Sequence, residues 1–185
     1  MLRSWTKLSS KPLGNFGVFS LRADKKVSPR THEAHDFVIL DCVNWVNVIA
    51  VTPDDQLVMV EQFRHGTNTV ELEVPGGTMD PGDASPVATA VRELREETGY
   101  EGEQARILGQ VFANPAIMSN ISYTVLVQDC ALKHAAQLDT GEDLITRLVP
   151  ASQIPELVRA CKIGHSLMVV SLYYFDLWRR KEKSK

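Results

Sequence analysis

Three carboxylates stand within five positions of one another: Glu93, Glu96 and Glu97. On an α-helix each residue turns by roughly 100°, so the three fall within an arc of roughly 100°. Glu93 and Glu97 stack at i,i+4. Clustered carboxylate oxygens suit a hard divalent cation, Mg²⁺ above all, which keeps several waters and shares phosphate oxygens of a substrate. The plainer reading is a solvated acidic face. Such a face normally intersperses lysines at i+4, and here the carboxylates cluster instead. Three like charges on one patch also repel each other.

The elements around them follow from the run Gly76–Tyr100, GGTMDPGDASPVATAVRELREETGY. A tight loop rich in Gly and Pro comes first. Ser85 is the expected N-cap and Pro86 the first helical residue. Gly99 stops the helix. Val87, Val91, Leu94 and Thr98 lie opposite the glutamates and are predicted to face a core.

The run Arg92-Glu93-Leu94-Arg95-Glu96-Glu97-Thr98-Gly99-Tyr100 resembles the core of the Nudix box, G-x5-E-x7-R-E-U-x-E-E-x-G-U, with U a bulky apolar residue. This is far more specific than a lone glycine motif. The first half departs from the pattern. Counted back from Arg92, the box glutamate falls on Ala84; counted forward from Gly77, it falls on Asp83. Because Ser85-Pro86 starts the helix, the extra residue is expected to stay in the loop.

Outside the box the chain is similar to the ADP-ribose pyrophosphatase branch of that family. The similarity rests on Asn44–Ala50, Glu61–Gly66, Glu71–Gly77 and Lys162–Ser166. The resemblance implies a Nudix-like α/β/α sandwich and hydrolysis of a nucleoside diphosphate linked to another group, most simply ADP-ribose or a related sugar. It implies Mg²⁺ as cofactor, with Mn²⁺ able to substitute. The metal ligands are then Glu93, Glu96 and Glu97 with the Gly76 carbonyl, and Arg92 orients the carboxylates from behind. Arg64 is read as a fork for the diphosphate or terminal ribose, against the plainer reading of a surface cation. Glu73 is similarly placed. Pro115, fifteen residues beyond Tyr100, matches a proline of that branch. A further acid is expected from Leu138–Asp143. Glu142 fits best, as metal ligand or general base, and a solvated acidic loop is its alternative. Trp45 is left to the core.

The rest of the chain agrees with an enzyme on a single small fold. Its 185 residues can bury a sizeable core, and 44% hydrophobic with 23% charged residues is ordinary for a globule. A net charge of −3 with no basic stripe argues against nucleic-acid binding, RNA decapping included. Cys42, Cys130 and Cys161 follow no metal spacing and are expected as thiols in a cytoplasmic protein. No apolar run reaches the roughly 18 residues that suggest a membrane span. His32-Glu33-Ala34-His35 lacks the spacing of the HExxH zinc motif and reads as a polar turn.

The predicted order is α+β. Strands are expected at Trp5–Ser9 and Phe16–Leu21, with Pro12 and Gly14 marking the turn between them, and Lys25–His35 as a polar connection. The first 23 residues also have the cationic, acid-free look of a transit peptide, and the strand reading is preferred. Strands follow at Phe37–Leu40, Trp45–Val51, Leu57–Phe63 and Val70–Val74. After the box helix come strands at Ala105–Phe112, Ile121–Gln128 and Leu144–Val149, then helices over 152–162 and 165–180. Residues 1–35 are expected as an N-terminal strand extension that makes a homodimer, and 36–185 as the hydrolase domain. Other nucleotide sugars, dinucleotides, or a non-catalytic ADP-ribose-binding module are the competing readings. The retained glutamates weigh against the last.

Overall fold

The computed structural model describes residues 2–183, with side chains to residue 182. The chain forms two compact units: residues up to Asn44 together with Phe112–Ile121, and Trp45–Val111 with Ser122 onward.

The first unit is built on a three-stranded antiparallel sheet of β1 (Thr6–Asn15), β2 (Phe19–Val27) and β3 (Ala34–Cys42), in that order. Pro12 and Gly14 do not make the turn expected of them. They lie inside β1, where the register with β2 shifts between Pro12 and Gly14. A proline without an N–H and a glycine without a side chain are tolerated at such a bulge. The turn falls instead at Phe16-Gly17-Val18, where the Asn15 side chain accepts from the Gly17 N–H at 2.9 Å. The polar connection shrinks to residues 28–33. There Ser28 Oγ accepts from two backbone N–H groups and His32 sits at φ 62°. A buried polar knot joins the strands: Asp24 accepts from Ser10 at 2.6 Å and from Arg22 at 3.1 Å, and Arg22 also pairs with Asp41.

The second unit contains β4 (Trp45–Val51), β5 (Gln56–Arg64), β6 (Thr69–Glu73), β7 (Gly76–Thr78), α1 (Pro86–Thr98), β8 (Tyr100–Glu101), β9 (Gln104–Phe112), β10 (Ile121–Gln128), β11 (Ala131–Leu132), β12 (Leu144–Pro150), α2 (Ile154–Arg159) and α3 (Ser166–Lys183). The main sheet runs β12-β5-β4-β10-β9. It is mixed: β10 lies parallel to β4, and β12 antiparallel to β5. One edge of β4 is shared. Its Val51 end pairs with β5 and its Trp45 end with β7, with Asn47 opposite Gly76 and Val46 opposite Gly77. The glycine loop of the sequence is therefore partly strand.

Alternation along β4 sorts the two faces. Val46, Val48 and Ala50 join Ala90 and Leu94 of α1, Val125, Val127 and Cys130 in one buried cluster. On the other face Asn47 donates to Ser122 and to Ser171 of α3, and Thr124 also bonds Ser171. Helices thus cover both faces of the sheet, the expected α/β/α arrangement. The helix expected at 152–162 is shorter, a 3₁₀ turn over Ala151–Gln153 followed by α2, with Pro155 in its first turn.

Candidate active site

The box helix forms as its sequence predicts. Ser85 Oγ caps the Ala88 N–H at 3.2 Å and Pro86 occupies the first turn. Gly99 ends it at φ 74°, its N–H donating to the Arg95 carbonyl at 2.8 Å. A Cβ there would lie 2.1 Å from the His134 carbonyl oxygen, so only glycine fits.

The faces of the helix differ from expectation. Val91 is exposed, whereas Glu93 and Glu97 are buried, 8% and 3% exposed. The helix is covered on two sides. Ala90 and Leu94 meet the core, and the neighbouring stripe of glutamates lies against β7. Gly77 makes that approach possible, because a Cβ on it would sit 2.4 Å from Glu93 Oε1. The Gly76 N–H donates to Glu97 Oε2 at 2.9 Å. The structure thus gathers Glu93, Glu97 and the Gly76-Gly77 backbone.

Glu96 stands apart from this pair, half-exposed on Arg92 at 2.9 Å. Arg92 links the parts, bonding Glu93 at 3.0 Å, Asp83 at 2.9 Å and the Thr78 carbonyl at 3.2 Å. Asp83 also accepts from Thr89 Oγ1 at 2.9 Å and from the Asp80 N–H at 3.0 Å. The hydrogen bond from Arg92 holds its carboxyl far below the usual carboxylate range. Asp83 is therefore the loop acid that ties the helix to its approach. The count forward from Gly77 points to it, and the count back from Arg92 misses it.

Electrostatics single out the two buried glutamates. Burial pushes Glu97 up to about 8. The Gly76 N–H opposes this, while the charges of Glu93 and Glu142 add to it. Burial pushes Glu93 up to about 7, opposed by Arg92 and reinforced by Glu96 and Glu142. The charge of Glu142 thus acts on both, from a loop in which its side chain accepts from the Asp139 N–H at 3.0 Å. Among the described residues, no three His, Cys, Asp or Glu side chains are close enough to hold an ion by themselves. The donor chemistry nevertheless fits Mg²⁺, which takes one or two carboxylates and completes its shell with waters and substrate phosphates. A cation beside Glu93 and Glu97 would relieve the repulsion that burial imposes on them.

Arg64 and Glu73 form one unit rather than two separate contacts. Arg64 Nε and Nη2 donate to the two Glu73 oxygens at 2.9 and 2.6 Å. Glu73 is fully buried, and Arg64 lines a cavity of about 900 Å³ with Phe63, Thr67, Glu71, Asp143 and His165. His165, which the sequence reading passed over as a site residue, also faces Glu73, its Nδ1 lying 3.4 Å from Oε2. Pro115 lies exposed in the 112–121 segment of the first unit, in a turn where the Asn114 carbonyl accepts from Ile117 and Met118.

The NUDIX domain family model matches residues 44–164. The chain belongs to the Nudix family. Among its relatives is a methanol dehydrogenase activator of Bacillus methanolicus, 32% identical over 133 residues that cover 71% of each chain. An ADP-ribose pyrophosphatase of Bacillus subtilis is 28% identical over 133 residues, again 71% of each. The ADP compounds hydrolase NudE of Escherichia coli is 33% identical over 125 residues, 68% of this chain and 66% of that one. A solved structure of an ADP compounds hydrolase superposes with a TM-score of 0.86 at 20% identity, covering 98% of this chain and 97% of that one. That last match establishes the fold, and the family and fold expected from the box are both borne out. This Nudix hydrolase has no helix among its described residues long and apolar enough to cross a membrane.

Proposed function

We propose that this Nudix hydrolase cleaves the diphosphate of ADP-ribose or a closely related ADP-linked sugar, giving AMP and a sugar phosphate. The observation that carries the reading is the buried Glu93–Glu97 pair on the Gly76-Gly77 backbone, two carboxylates one helical turn apart where burial favours neither charge. The names of the Bacillus subtilis and Escherichia coli relatives support the substrate class.

In this reading Glu93 and Glu97, with the Gly76 carbonyl and Glu96, hold Mg²⁺, for which Mn²⁺ substitutes. When bound, the cation neutralises charge at the diphosphate and acidifies a water. The chain's own residues do the positioning. Arg92 restrains Glu93 and Glu96 from behind. Arg64, fixed by Glu73, presents its remaining N–H groups to phosphate oxygens in the cavity. Glu142, whose charge acts on both buried glutamates, is assigned as the carboxylate that takes a proton from the attacking water. Pro115 is assigned to substrate contact on its position relative to the box alone.

The first unit supports a homodimer. Leu8, Leu13, Phe37 and Val38 of the small sheet, with Trp5 before it and Phe16 and Val18 in its turn, are 38% to 79% exposed, and a second copy of the chain would cover those on one face. Three free thiols support a reducing compartment, the cytoplasm.

The test is a hydrolysis screen of ADP-ribose, other ADP-sugars, GDP-sugars, dinucleotides and capped RNA, with Mg²⁺, with Mn²⁺ and with chelator. ADP-ribose turnover that chelator abolishes is the expected result. Full turnover in chelator overturns the metal assignment, and preference for a substrate without ADP overturns the substrate class. Light scattering at micromolar concentration tests the dimer.

A further inference from the structure

The Arg64–Glu73 pair has a third member for which the proposed reaction gives no reason. Arg64 ends β5, Glu73 ends β6, and His165 lies just before α3. The two Arg64 donors on Glu73 leave three of the five guanidinium N–H groups free for the cavity. That orientation depends on Glu73 staying where it is. Glu73 Oε2 already accepts from Arg64 Nη2 and has capacity for a second donor. His165 Nδ1 is on that side, 3.4 Å away, buried, and without a formed hydrogen bond. The rest of the imidazole remains open, the side chain being 36% exposed on the cavity wall. Burial alone would push the Glu73 carboxyl up, but the hydrogen bonds from Arg64, with the nearby His165 acting in the same direction, more than reverse this, bringing it down to about 2.

We propose that His165 is a positioning residue for the substrate diphosphate: its Nδ1–H braces Glu73, and Glu73 keeps the Arg64 fork turned to the cavity. The inference rests on the reading of this cavity as the diphosphate site. The long Nδ1–Oε2 distance fits a contact that tightens when a phosphate draws Arg64 forward. The arrangement parallels a carboxylate–histidine pair behind a metal ligand, with a guanidinium in place of the metal.

Three substitutions separate this role from its rivals. The amide nitrogen of Asn occupies the place of Nδ1, and that of Gln the place of Nε2. His165→Ala is expected to raise KM for ADP-ribose about tenfold, with the loss falling on KM rather than kcat. His165→Asn recovers most of it and His165→Gln does not. Recovery by Gln and not by Asn would mean that Nε2 touches the substrate directly, which overturns the proposal. So would an unchanged KM in His165→Ala, or a parallel fall of kcat and melting temperature in all three variants.

A second measurement needs no substrate. The ¹⁵N shifts of the His165 imidazole at pH 8 are expected to show Nδ1 carrying the proton. A neutral ring protonated only at Nε2 refutes the brace. If the substrate screen finds no turnover of ADP-linked compounds, the reading of the site fails, and the imidazole shifts still decide whether His165 braces Glu73.

Discussion

Glu73 and Glu97 are both buried glutamates, 0% and 3% exposed, yet the fold treats them in opposite ways. Glu73 meets the Arg64 fork on both oxygens and His165 beside them. Burial pushes it up, the two partners push it down further, and it ends at about 2. Glu97 meets one backbone N–H. Burial pushes it to about 8, with the charges of Glu93 and Glu142 adding to the effect. Asp24 and Asp83 follow the first pattern, each satisfied by a hydroxyl and an arginine. A carboxylate that serves the fold is given its cation by the fold. Glu97 is supplied with donors for less than one full charge, and the balance is left for something that binds. Burial alone does not separate Glu73 from Glu97, since both are buried. The partner list does.

The sharpest way to break the comparison is to neutralise each glutamate in turn. Glu97→Gln keeps the volume and removes the charge. Turnover at saturating Mg²⁺ should fall by roughly three orders of magnitude, because charge neutralisation at the phosphates is most of the catalytic work. The melting temperature should hold or rise, because a member of a repelling cluster is gone. If the variant melts far below the wild type, Glu97 belongs with Glu73 and the distinction collapses.

Glu73→Gln should act first on stability, and raise KM as the Arg64 fork loses its anchor. Removing one partner of a buried ion pair destabilises by about 3 kcal/mol, the low end of the usual range, since Arg64 is partly open to water. Urea unfolding measures it. A loss below about 0.5 kcal/mol, the size expected of an ordinary surface change, would show that the pair is not holding the β5–β6 ends together.

Acidity extends the same contrast to pH. In metal-free protein Glu93 and Glu97 keep protons up to about 7 and 8 that an unfolded chain gives up near 4.5. Between those values the folded state binds more protons, so stability falls as pH rises. Glu73 contributes in the opposite sense. Its folded value of about 2 lies below 4.5, so its stabilisation is complete above 4.5 and is lost as pH falls toward 2. With chelator present, the melting temperature should drop by roughly 5 °C from pH 5.5 to 8.5, and Mg²⁺ should remove most of the drop. A chelated protein that melts no lower at pH 8.5 than at 5.5 contradicts the assignment of unpaired charge to the helix.

Much of this was legible in the residues, for reasons that differ from one element to the next. Ser85, Pro86 and Gly99 act locally through caps and φ, so the helix bounds needed no tertiary information. Trp45–Val51 and Ile121–Gln128 are strands rich in apolar and β-branched residues whose length the flanking turns define. The first strand was misread because Pro12 and Gly14 serve both turns and bulges, and only pairing with β2 tells which. The burial of Glu93 and Glu97 was not legible either. Periodicity placed them opposite Val91, but β7 folds back over that stripe, and only the missing side chain at Gly77 hints at the approach. His165 is a lone histidine before a helix, and its partner lies 92 positions away in sequence. No local signal connects the two.

The smallest expected effect concerns the irregular first half of the box. Ala84 is where a glutamate would stand if counted back from Arg92, and Ala84 is exposed just before the helix cap. The work of an acid at the start of the motif is already done by Asp83. Its two oxygens take Arg92 at 2.9 and 3.3 Å, Thr89 Oγ1 at 2.9 Å and the Asp80 N–H at 3.0 Å. Arg92 in turn reaches Glu93 and Glu96, so the register of the carboxylates is set from Asp83 through Arg92. Ala84→Glu adds a solvated carboxylate one residue from Asp83, whose contacts with Arg92 are already made. Its rate should stay within about twofold of the wild type and its stability within about 0.5 kcal/mol. A large gain in rate would mean that Asp83 holds Arg92 poorly and that the loop is defective as it stands. Asp83→Ala supplies the contrast: with Arg92 released, the rate should fall well before the helix melts, and Ala84→Glu in that background should restore part of it. If the double variant recovers nothing, the side chain at 84 cannot reach Arg92, and the one-residue displacement of the acid is fixed by the Ser85-Pro86 start of the helix.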